Sequence, residues 1–489
     1  MAFFPRAAFA ASFLLSCFSG ALRLAAADRL TAGESTLAAL SDFQPTGTNW
    51  QVAGGLAGDP RREKVLVPVA GQGLLVNLPD KVNRKHLFSA WEHGDLEVDL
   101  EFLLPPGANS GVYLMGRYEV QLLDSWKVLQ PKPGDCGGIY ERWDASRGKG
   151  KEEFDGVAPR TNACRAPGLW QRLQIVFQAP RFDASGTKVQ SARFLKVVLN
   201  GTVIHENVEA KGPTRSAAFE TEAAWGPLMI QGDHGSLALR SIHCRVPGVS
   251  SEPALETETR PRRVPAPILV DPTDRVLVQR GFVPWDPSKR VYACSVGTPS
   301  RLHFAYDFET GTVLRVWRGG FLDTAEMWES RGERQTARPT GAPLDFPAKP
   351  TVALIEQPLV DGWPTSPGDL FVSDGYRLEP DGTPVFLSRL STLTVEDRLV
   401  PAPDQSGLIR TLVVAGRRSG WAGFVLLAEA EVIRRVPGGF VVGDRTWYLD
   451  WPEDSPHQPV IRSVGGRQLL LVPVVEKTLG KPLVYTLVW

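Results

Sequence analysis

The first half of the chain alternates apolar and polar residues in short runs, a pattern typical of half-buried β-strands. Residues 95–102 place acidic side chains on one face and apolar side chains on the other. Residues 194–199 and 202–205 flank Asn200-Gly201, a pair that suits a tight hairpin turn because both turn positions need a positive φ. No segment gives a convincing amphipathic helix of more than three turns. The pattern therefore predicts an antiparallel β-sandwich.

The second half of the chain also predicts β-strands. Residues 301–307 and 313–317 flank Glu309-Thr310-Gly311, which indicates a hairpin. Further strands are expected at residues 408–415, 423–433, 439–448, 469–475 and 483–489. Many of these runs are apolar on both faces, as in strands at the middle of stacked sheets. We expect a second β-rich, sandwich-like domain, and the fold class is all-β.

Two segments without strand periodicity divide the chain. Residues 1–27 combine an early Arg6, an apolar run and a small-residue cleavage pattern at 25–27, which predicts a signal peptide and a periplasmic or secreted protein. A lipoprotein anchor through Cys17 is the alternative. Residues 247–267 are rich in Pro, Ser and charge and predict a linker. The expected domains are therefore residues 28–246 and 268–489.

Composition narrows the class of partner. The chain has 489 residues with 54 Lys and Arg against 54 Asp and Glu, so its formal net charge is zero. A nucleic-acid partner normally requires a basic field, and we expect none. After residue 27 no apolar run reaches the ~18 residues of a membrane helix, so no transmembrane segment is expected. Composition leaves the oligomeric state open.

One segment, residues 109–124, carries the most promising chemistry. Treated as a single strand from Ser110 to Leu123, its side chains alternate between two faces. One face would be apolar and the other would carry Tyr113, Met115, Arg117, Glu119 and Gln121. The polar part of that stripe, a cation, an acid and an amide, would be about 13 Å long. It is either the wall of a sugar cleft or a plain solvated face, and Asp124 reaches it only if the strand ends or bulges near Leu123.

The same segment, NSGVYLMGRYEVQLLDSW, closely resembles the signature of the 3-keto-disaccharide hydrolase family, which is related in fold to concanavalin-like lectins and glucanases. Further matches follow in order from residue 40 to 246. They include DCGGIY at 135–140, NAC at 162–164, PGLWQ at 167–171, APRFD at 179–183, LNG at 199–201, GPT at 212–214 and GPLMIQGDHG at 226–235. One departure is Leu239-Arg240-Ser241-Ile242, where the family usually has Arg-Asn-Ile. Residues 268–489 resemble a β-rich region found beside such domains in bacteria of planctomycete or verrucomicrobial type.

The resemblance implies a jelly-roll sandwich that binds a sugar with a carbonyl at C3. Such a substrate needs one base, one acid and a donor to an enolate, in place of the paired carboxylates of ordinary glycosidases. We assign Glu119 and His234 to proton transfer, with Asp124 or Asp233 orienting a partner. The expected substrate-binding residues are Asn109, Arg117, Gln121, Tyr140, Gln231 and Asp233. His234 could equally be a turn residue, and the domain could be a non-catalytic carbohydrate-binding protein or a structural module of the cell envelope.

The cysteine and histidine patterns predict a disulfide and no metal site. Cleavage after residue 27 leaves four cysteines, of which Cys136 and Cys164 lie in one loop-rich segment. We expect a disulfide between them, with buried free thiols as the alternative. The sequence has no HExxH or CxxC pattern, so we expect no metal and no cofactor. Calcium at the turns around Asp271 or Asp381 is a minor alternative.

Overall fold

The computed structural model describes residues 28–59, 61–247, 266–329, 335–355, 359, 362–417 and 422–489. The signal peptide predicted at 1–27 and most of the linker predicted at 247–267 lie outside these residues. Over the described residues the chain is almost entirely β, which confirms the all-β fold class. The helices in this described part of the chain are one short α-helix, Ala325–Glu329, and three 3₁₀ turns at Leu40–Asp42, Ala145–Arg147 and Glu476–Thr478.

The first domain is a sandwich of two sheets. The five-stranded sheet, which we call the site sheet, has the spatial order Asp28–Leu30, Leu87–His93, Gly226–Ile230, Asn109–Leu114 and Tyr118–Leu123. The eight-stranded sheet has the order Thr202–Ala210, Ala192–Leu199, Trp170–Gln178, Leu96–Leu103, Leu237–Arg245, Val67–Asn77 and Trp50–Ala57, with Glu34–Leu37 also paired to Leu237–Arg245. Two small ribbons are Arg142–Trp143 with Glu153–Phe154 and Arg181–Phe182 with Lys188–Gln190.

The core of this domain lies between the two sheets. Alternate residues of the site sheet, among them Val112, Val120 and Leu122, pack against Leu100, Leu173 and other residues of the eight-stranded sheet. All five of these side chains are fully buried. Since neighbouring residues of a strand face opposite sides, the other face of the site sheet points away from this core.

The second domain contains more and shorter sheets. A three-stranded sheet joins Leu269–Val270, Leu322–Asp323 and Arg338–Pro339, and a two-stranded ribbon joins Val283–Pro284 and Lys289–Arg290. A five-stranded sheet has the order Leu277–Arg280, Ala293–Gly297, Leu302–Asp307, Thr312–Arg318 and Ala342–Asp345. A four-stranded sheet has the order Val352–Ile355, Ala422–Ala430, Arg467–Val474 and Val460–Val464. The eight-stranded sheet has the order Phe371–Leu378, Pro384–Leu390, Leu393–Pro401, Leu408–Gly416, Leu483–Val488, Trp447–Asp450, Gly439–Val442 and Ile433–Val436.

The strand predictions were mostly correct. Both predicted hairpins form, at Asn200-Gly201 and at residues 309–311. Two predicted single strands are each divided by a turn: 423–433 becomes Ala422–Ala430 and Ile433–Val436, and 439–448 becomes Gly439–Val442 and Trp447–Asp450. The second break falls at Gly443-Asp444-Arg445-Thr446, a polar turn, and the first contains Glu431.

The two domains are packed together through a buried interface. Leu169 of the first domain belongs to one apolar cluster with Val441, Tyr448 and Val488 of the second. The Tyr448 hydroxyl donates to the Pro167 carbonyl at 3.2 Å, and the Trp170 amide donates to the Arg445 carbonyl at 3.1 Å. These contacts fix the second domain against the first.

Candidate functional site

The best candidate site is built on a hairpin of the site sheet. The segment predicted as one strand from Ser110 to Leu123 is two antiparallel strands joined at Met115-Gly116-Arg117. Met115 and Gly116 both have a positive φ, of 58° and 63°, which produces the reversal. Tyr113 and Glu119 still share a face, because they are direct cross-strand partners in the hairpin.

Four strands contribute to the face that points away from the core, which we call the site face. Tyr113 pairs with Glu119 and with Met229, and Met229 in turn pairs with Phe88. Paired residues project on the same side of a sheet, so alternation extends this surface across the four strands. Its members are His86, Phe88, Asn109, Gly111, Tyr113, Glu119, Gln121, Met229 and Gln231.

Glu119 is the most unusual group on the site face, with only 2% of the residue exposed. Among the described residues, its Oε2 atom has no hydrogen-bond partner. The Gln121 amide nitrogen, in the orientation that satisfies its surroundings, donates to Oε1 at 3.0 Å. Burial raises the pKa of Glu119 to about 8; the nearby Tyr113 hydroxyl opposes this rise, and the charges of Glu141 and Asp233 add to it. The carboxyl group is therefore mostly protonated at neutral pH and can donate a proton.

Gly111 makes room for this carboxyl group. It lies opposite Gln121 in the hairpin, and a Cβ at this position would stand 2.0 Å from Oε1 of Glu119. Such an approach is far inside van der Waals contact, so only glycine is compatible with the observed position of the carboxyl group.

A second group of titratable side chains lies at the end of strand Gly226–Ile230. Asp233 Oδ1 is 2.6 Å from His234 Nδ1 and 4.0 Å from His86 Nδ1. The Gly232 amide donates to His86 Nδ1 at 3.2 Å, which leaves Nε2 of His86 as the protonated nitrogen of a neutral ring. Burial lowers the pKa of His86, the Asp233 carboxylate opposes this, and His234 reinforces it. His86 is therefore a neutral hydrogen-bond donor near pH 7.

Asp233 interacts electrostatically both with the histidines and with Glu119 and Tyr113 of the site face. It forms the hydrogen bond to His234, and its charge contributes to the raised pKa of Glu119 and of Tyr113. Within the described residues, no hydrogen bond joins Glu119 directly to His234. His234 is the accessible member, with 52% of its side chain exposed.

Loops lie along the outer edge of the strand that carries Glu119, and one of them reaches over the site face. The Tyr140 amide donates to the Glu119 carbonyl at 3.2 Å, and the Glu119 amide donates to the Thr214 hydroxyl at 3.3 Å. The Tyr113 hydroxyl reaches the Arg215 carbonyl at 3.4 Å. Burial raises the pKa of Tyr140, and the charges of Glu141 and Glu119 add to the effect. Residues 140–141 and 214–215 therefore flank the strand that carries Glu119, and Arg215 reaches over the site face.

The structure brings most of the predicted site residues onto or beside this face. Asn109 Oδ1 lies 3.3 Å from the Gln121 amide. The Gln231 amide donates to the Gly111 carbonyl at 2.9 Å, and its side-chain Oε1 is buried with no partner among the described residues. An unsatisfied buried acceptor of this kind is available to a ligand hydroxyl.

Two predicted site residues have other positions. The Arg117 guanidinium donates to the carbonyls of Met115 and Thr221, each at 2.8 Å, and stacks over Phe219 at 5.0 Å. It lies in the hairpin turn and anchors the segment around 219–225, so these contacts differ from the predicted enolate or hydroxyl binding. Asp124 accepts from the Gly107 amide at 2.9 Å at the opposite end of the hairpin, roughly 16 Å along the strand from Glu119. It does not orient the proton-transfer groups.

The predicted disulfide is also absent. Cys136 and Cys164 are buried free thiols. A hydrogen bond from Cys164, together with burial, raises the pKa of Cys136. The two thiols therefore lie side by side without a disulfide bond.

The sequence interpretation missed His86 and Glu141. His86 is far from residues 109–124 along the chain, and its only signal was a position just before an apolar strand. Glu141 follows Tyr140 directly, and burial raises its pKa. Over the described ranges, no group of three or more His, Cys, Asp or Glu side chains is arranged to hold a metal ion. In the same residues, no helix is long and apolar enough to cross a membrane.

Comparisons with known proteins support the resemblance seen in the sequence. A family model described as a 3-keto-alpha-glucoside-1,2-lyase-like domain matches residues 40–245, which confirms the predicted recognition for the first domain. The chain resembles a candidate glycosyl hydrolase from Parabacteroides distasonis at 22% identity, over 42% of this chain and 84% of that chain, with a TM-score of 0.30. A second such protein from the same organism matches at 19% identity, over 40% and 99% of the two chains, with a TM-score of 0.25.

Another match extends over both domains. The binding domain of botulinum neurotoxin serotype D matches at 9% identity over 90% of this chain and 91% of that chain, with a TM-score of 0.22. No curated protein matches the chain. The family match supports a carbohydrate-active, glycosyl hydrolase-like role for the first domain.

Proposed function

We propose that the first domain cleaves glycosides that carry a carbonyl at C3, by elimination across C1 and C2. The single observation that carries this proposal is the buried, proton-bearing Glu119 beside the Asp233–His234 pair, within a domain matched by the lyase-like family. A C3 carbonyl acidifies the C2 proton, so a weak base suffices to remove it. The reaction then needs an acid for the departing C1 oxygen and a donor for the enolate.

His234 and two residues of the site face, His86 and Glu119, supply these three roles. His234, held through Nδ1 by Asp233, presents Nε2 to take the C2 proton. The electron pair of the C2–H bond forms the enolate, whose oxygen accepts from Nε2–H of the neutral His86. Collapse of the enolate breaks the C1–O bond, and Glu119 gives its proton to the leaving oxygen. Water addition to the resulting enone makes the outcome a net hydrolysis, and without it the enzyme is a lyase.

The first experiment is a product assay by mass spectrometry. The full chain would be incubated with a 3-keto-glucoside and with its unoxidised parent. Cleavage of the keto sugar alone supports the elimination mechanism, and a dehydrated product identifies a lyase. Cleavage of the parent at a similar rate would contradict it and point to ordinary glycosidase chemistry.

Variants then test the assigned roles. Glu119→Gln keeps the shape of the side chain but removes its transferable proton, and we expect kcat to fall by about 10²–10⁴-fold. Glu92→Gln, on the strand Leu87–His93 of the same sheet, is the matched control and should keep wild-type activity. Near-wild-type turnover by Glu119→Gln would remove Glu119 from the mechanism.

A second candidate function is carbohydrate binding without catalysis. The observation that favours it is the cover over Glu119, which leaves only 2% of the residue exposed. Binding of the 3-keto-glucoside with no product after prolonged incubation would select this alternative.

Export of the chain is part of the proposal. Residues 1–27 would act as the signal peptide and direct the protein to the periplasm or the medium. N-terminal sequencing of the protein recovered from cells tests this, because a mature chain beginning at Asp28 is expected and an intact Met1 in an exported fraction would contradict cleavage.

A further inference from the structure

The second domain contains a cavity of about 410 Å³ that the proposed reaction does not use. It lies between strands of three sheets and is lined only by residues 312–487. A volume of this size falls within the range of small-molecule sites, about 300–1,000 Å³. The cavity therefore has room for one small organic ligand, well separated in the chain from Glu119.

A β-bulge helps to form this cavity. The pairing of Ala422–Ala430 with Arg467–Val474 shifts register between Leu426 and Ala428, and the residues at the shift line the cavity. Bulges bend a strand and re-aim its side chains, and they are common next to functional sites.

The wall of the cavity combines apolar and aromatic surface. Phe346 and Trp447 meet edge to face, with ring centroids 5.2 Å apart. Leu426, Val442 and Leu487 complete this side. A wall of this kind suits the apolar C–H face of a sugar ring.

The polar side of the cavity is a set of charges that neutralise one another. Lys349 Nζ contacts both carboxylate oxygens of Glu429, at 2.8 and 2.6 Å, and Arg467 Nε contacts the same carboxylate at 2.9 Å. Deeper inside, Arg410 is paired with Asp397 and donates to the Tyr485 hydroxyl at 3.0 Å. A charged ligand would have to compete with these pairs, whereas hydroxyl groups can add to them as both donors and acceptors.

The cavity is open to solvent. Asp345, Glu431, Asp444 and Arg467 are exposed residues of its lining, whereas Arg410, Trp447 and Tyr485 are buried. A ligand can therefore enter past a charged rim and reach an aromatic interior.

We propose that this cavity is a carbohydrate-binding site for a single neutral sugar ring. The ring would lie against Trp447 and Phe346, and its hydroxyl groups would bind the paired charges of Glu429, Lys349 and Arg467. The proposal does not depend on catalysis in the first domain, since the two sites share no residue. A second site of this type would hold the protein on a polymeric or multiply glycosylated target while the first site acts.

Saturation-transfer NMR on the full chain tests the proposal, with methyl α-glucopyranoside, methyl β-galactopyranoside, methyl α-mannopyranoside and methyl β-xylopyranoside as probes. We expect at least one neutral glycoside to bind, and its affinity to fall at least tenfold in Glu429→Gln. Glu379→Gln, which alters the Arg398 ion pair elsewhere in the second domain, is the matched control and should bind within twofold of wild type.

Further variants keep the test decisive. Arg467→Gln removes an exposed cation from the rim and should weaken binding without burying a charge. Glu119→Gln should leave this binding intact; loss in Glu119→Gln with retention in Glu429→Gln would place the probe in the first domain and overturn the proposal. It is equally overturned if none of the four glycosides binds, or if a methyl glucuronide binds more tightly than every neutral probe.

Discussion

Each domain buries a carboxyl group among β-strands, but only the carboxyl group of the second domain has a cationic partner among the described residues. In the first domain Glu119 has no cationic partner among the described residues, and burial holds it in the protonated form. In the second domain Asp397 receives two hydrogen bonds from Arg410, at 3.0 and 2.6 Å. Although burial alone lowers the pKa of Arg410, the charge of Asp397 raises it overall.

This difference distinguishes the candidate functional site at Glu119 from the structural ion pair of Asp397 and Arg410. Arg410 also donates to Thr351 and Tyr485, so the second-domain group is satisfied on all sides and joins neighbouring strands. A satisfied buried network favours one arrangement of the core. Glu119 is incompletely satisfied, and a buried carboxyl group that keeps its proton at pH 7 costs stability while remaining chemically available.

The largest effect is expected from breaking the second-domain pair. Asp397→Asn leaves Arg410 as an uncompensated buried cation, and we expect the free energy of unfolding to fall by about 3–5 kcal/mol. Denaturant unfolding of the full chain measures this. The neighbouring Glu396→Gln is the control, because its ion pair with Arg377 is about half exposed and should change stability by less than ~1 kcal/mol. Equal losses in both variants would contradict the distinction.

Glu119 should show the opposite dependence on charge. Its pKa is raised on folding, so its stabilising contribution is present below about pH 4.5 and is lost as pH rises towards about 8. Glu119→Gln cannot ionise, and we expect it to be more stable than wild type at pH 9 by up to a few kcal/mol. Unfolding curves from pH 5 to pH 9 test this. Parallel pH profiles for the two proteins would show that Glu119 ionises normally.

A smaller effect is expected from closing the space beside Glu119. Gly111→Ala places a methyl group against Oε1, and the resulting strain should cost about 1–3 kcal/mol and displace the carboxyl group. Gly55→Ala is the control, since a Cβ there meets nothing within 4 Å. The pKa of Glu119, followed by NMR, should change in Gly111→Ala and stay near 8 in Gly55→Ala. An unchanged pKa in both would argue against the close packing.

The smallest effect concerns the departure from the family pattern at residue 241. Ser241 is exposed and has a φ of 52°, a left-handed conformation that asparagine tolerates better than serine. Ser241→Asn should therefore raise stability by up to ~1 kcal/mol without affecting either buried group. Thermal unfolding measures the change, and destabilisation would show that the local backbone does not favour asparagine.

The hairpin at residues 109–123 shows how far the sequence could be interpreted. Alternation correctly placed Tyr113, Glu119 and Gln121 on one face, because direct partners in an antiparallel pair share a face. It missed the reversal at Met115-Gly116, since Gly116 sits inside an otherwise continuous strand pattern. The position of Arg117 follows from that error, because the turn directs its guanidinium towards residues 219–225. Asp124 is separate from Glu119 because it follows the end of the same strand, five residues away.

The spatial proximity of residues that are distant in sequence was harder to predict. The motif match put Glu119 and the Asp233–His234 pair in the same domain, but their electrostatic connection depends on the pairing of Gly226–Ile230 with Asn109–Leu114. His86 joins them through the pairing on the other side of that strand. The second-domain cavity had no sequence signal, because its lining is spread over eight strands and their connecting segments.

The sequence by itself determined the all-β class, both turn-marked hairpins and the resemblance of residues 40–245 to the lyase-like family. These properties depend on local alternation, turn residues and motifs that are contiguous in the chain. Only the tertiary structure decided the protonation of Glu119, the role of Arg117, the free state of Cys136 and Cys164, and the contrast with Asp397. Each of these depends on burial and on the groups brought nearby by strand pairing, and neither burial nor long-range pairing is encoded in any single segment.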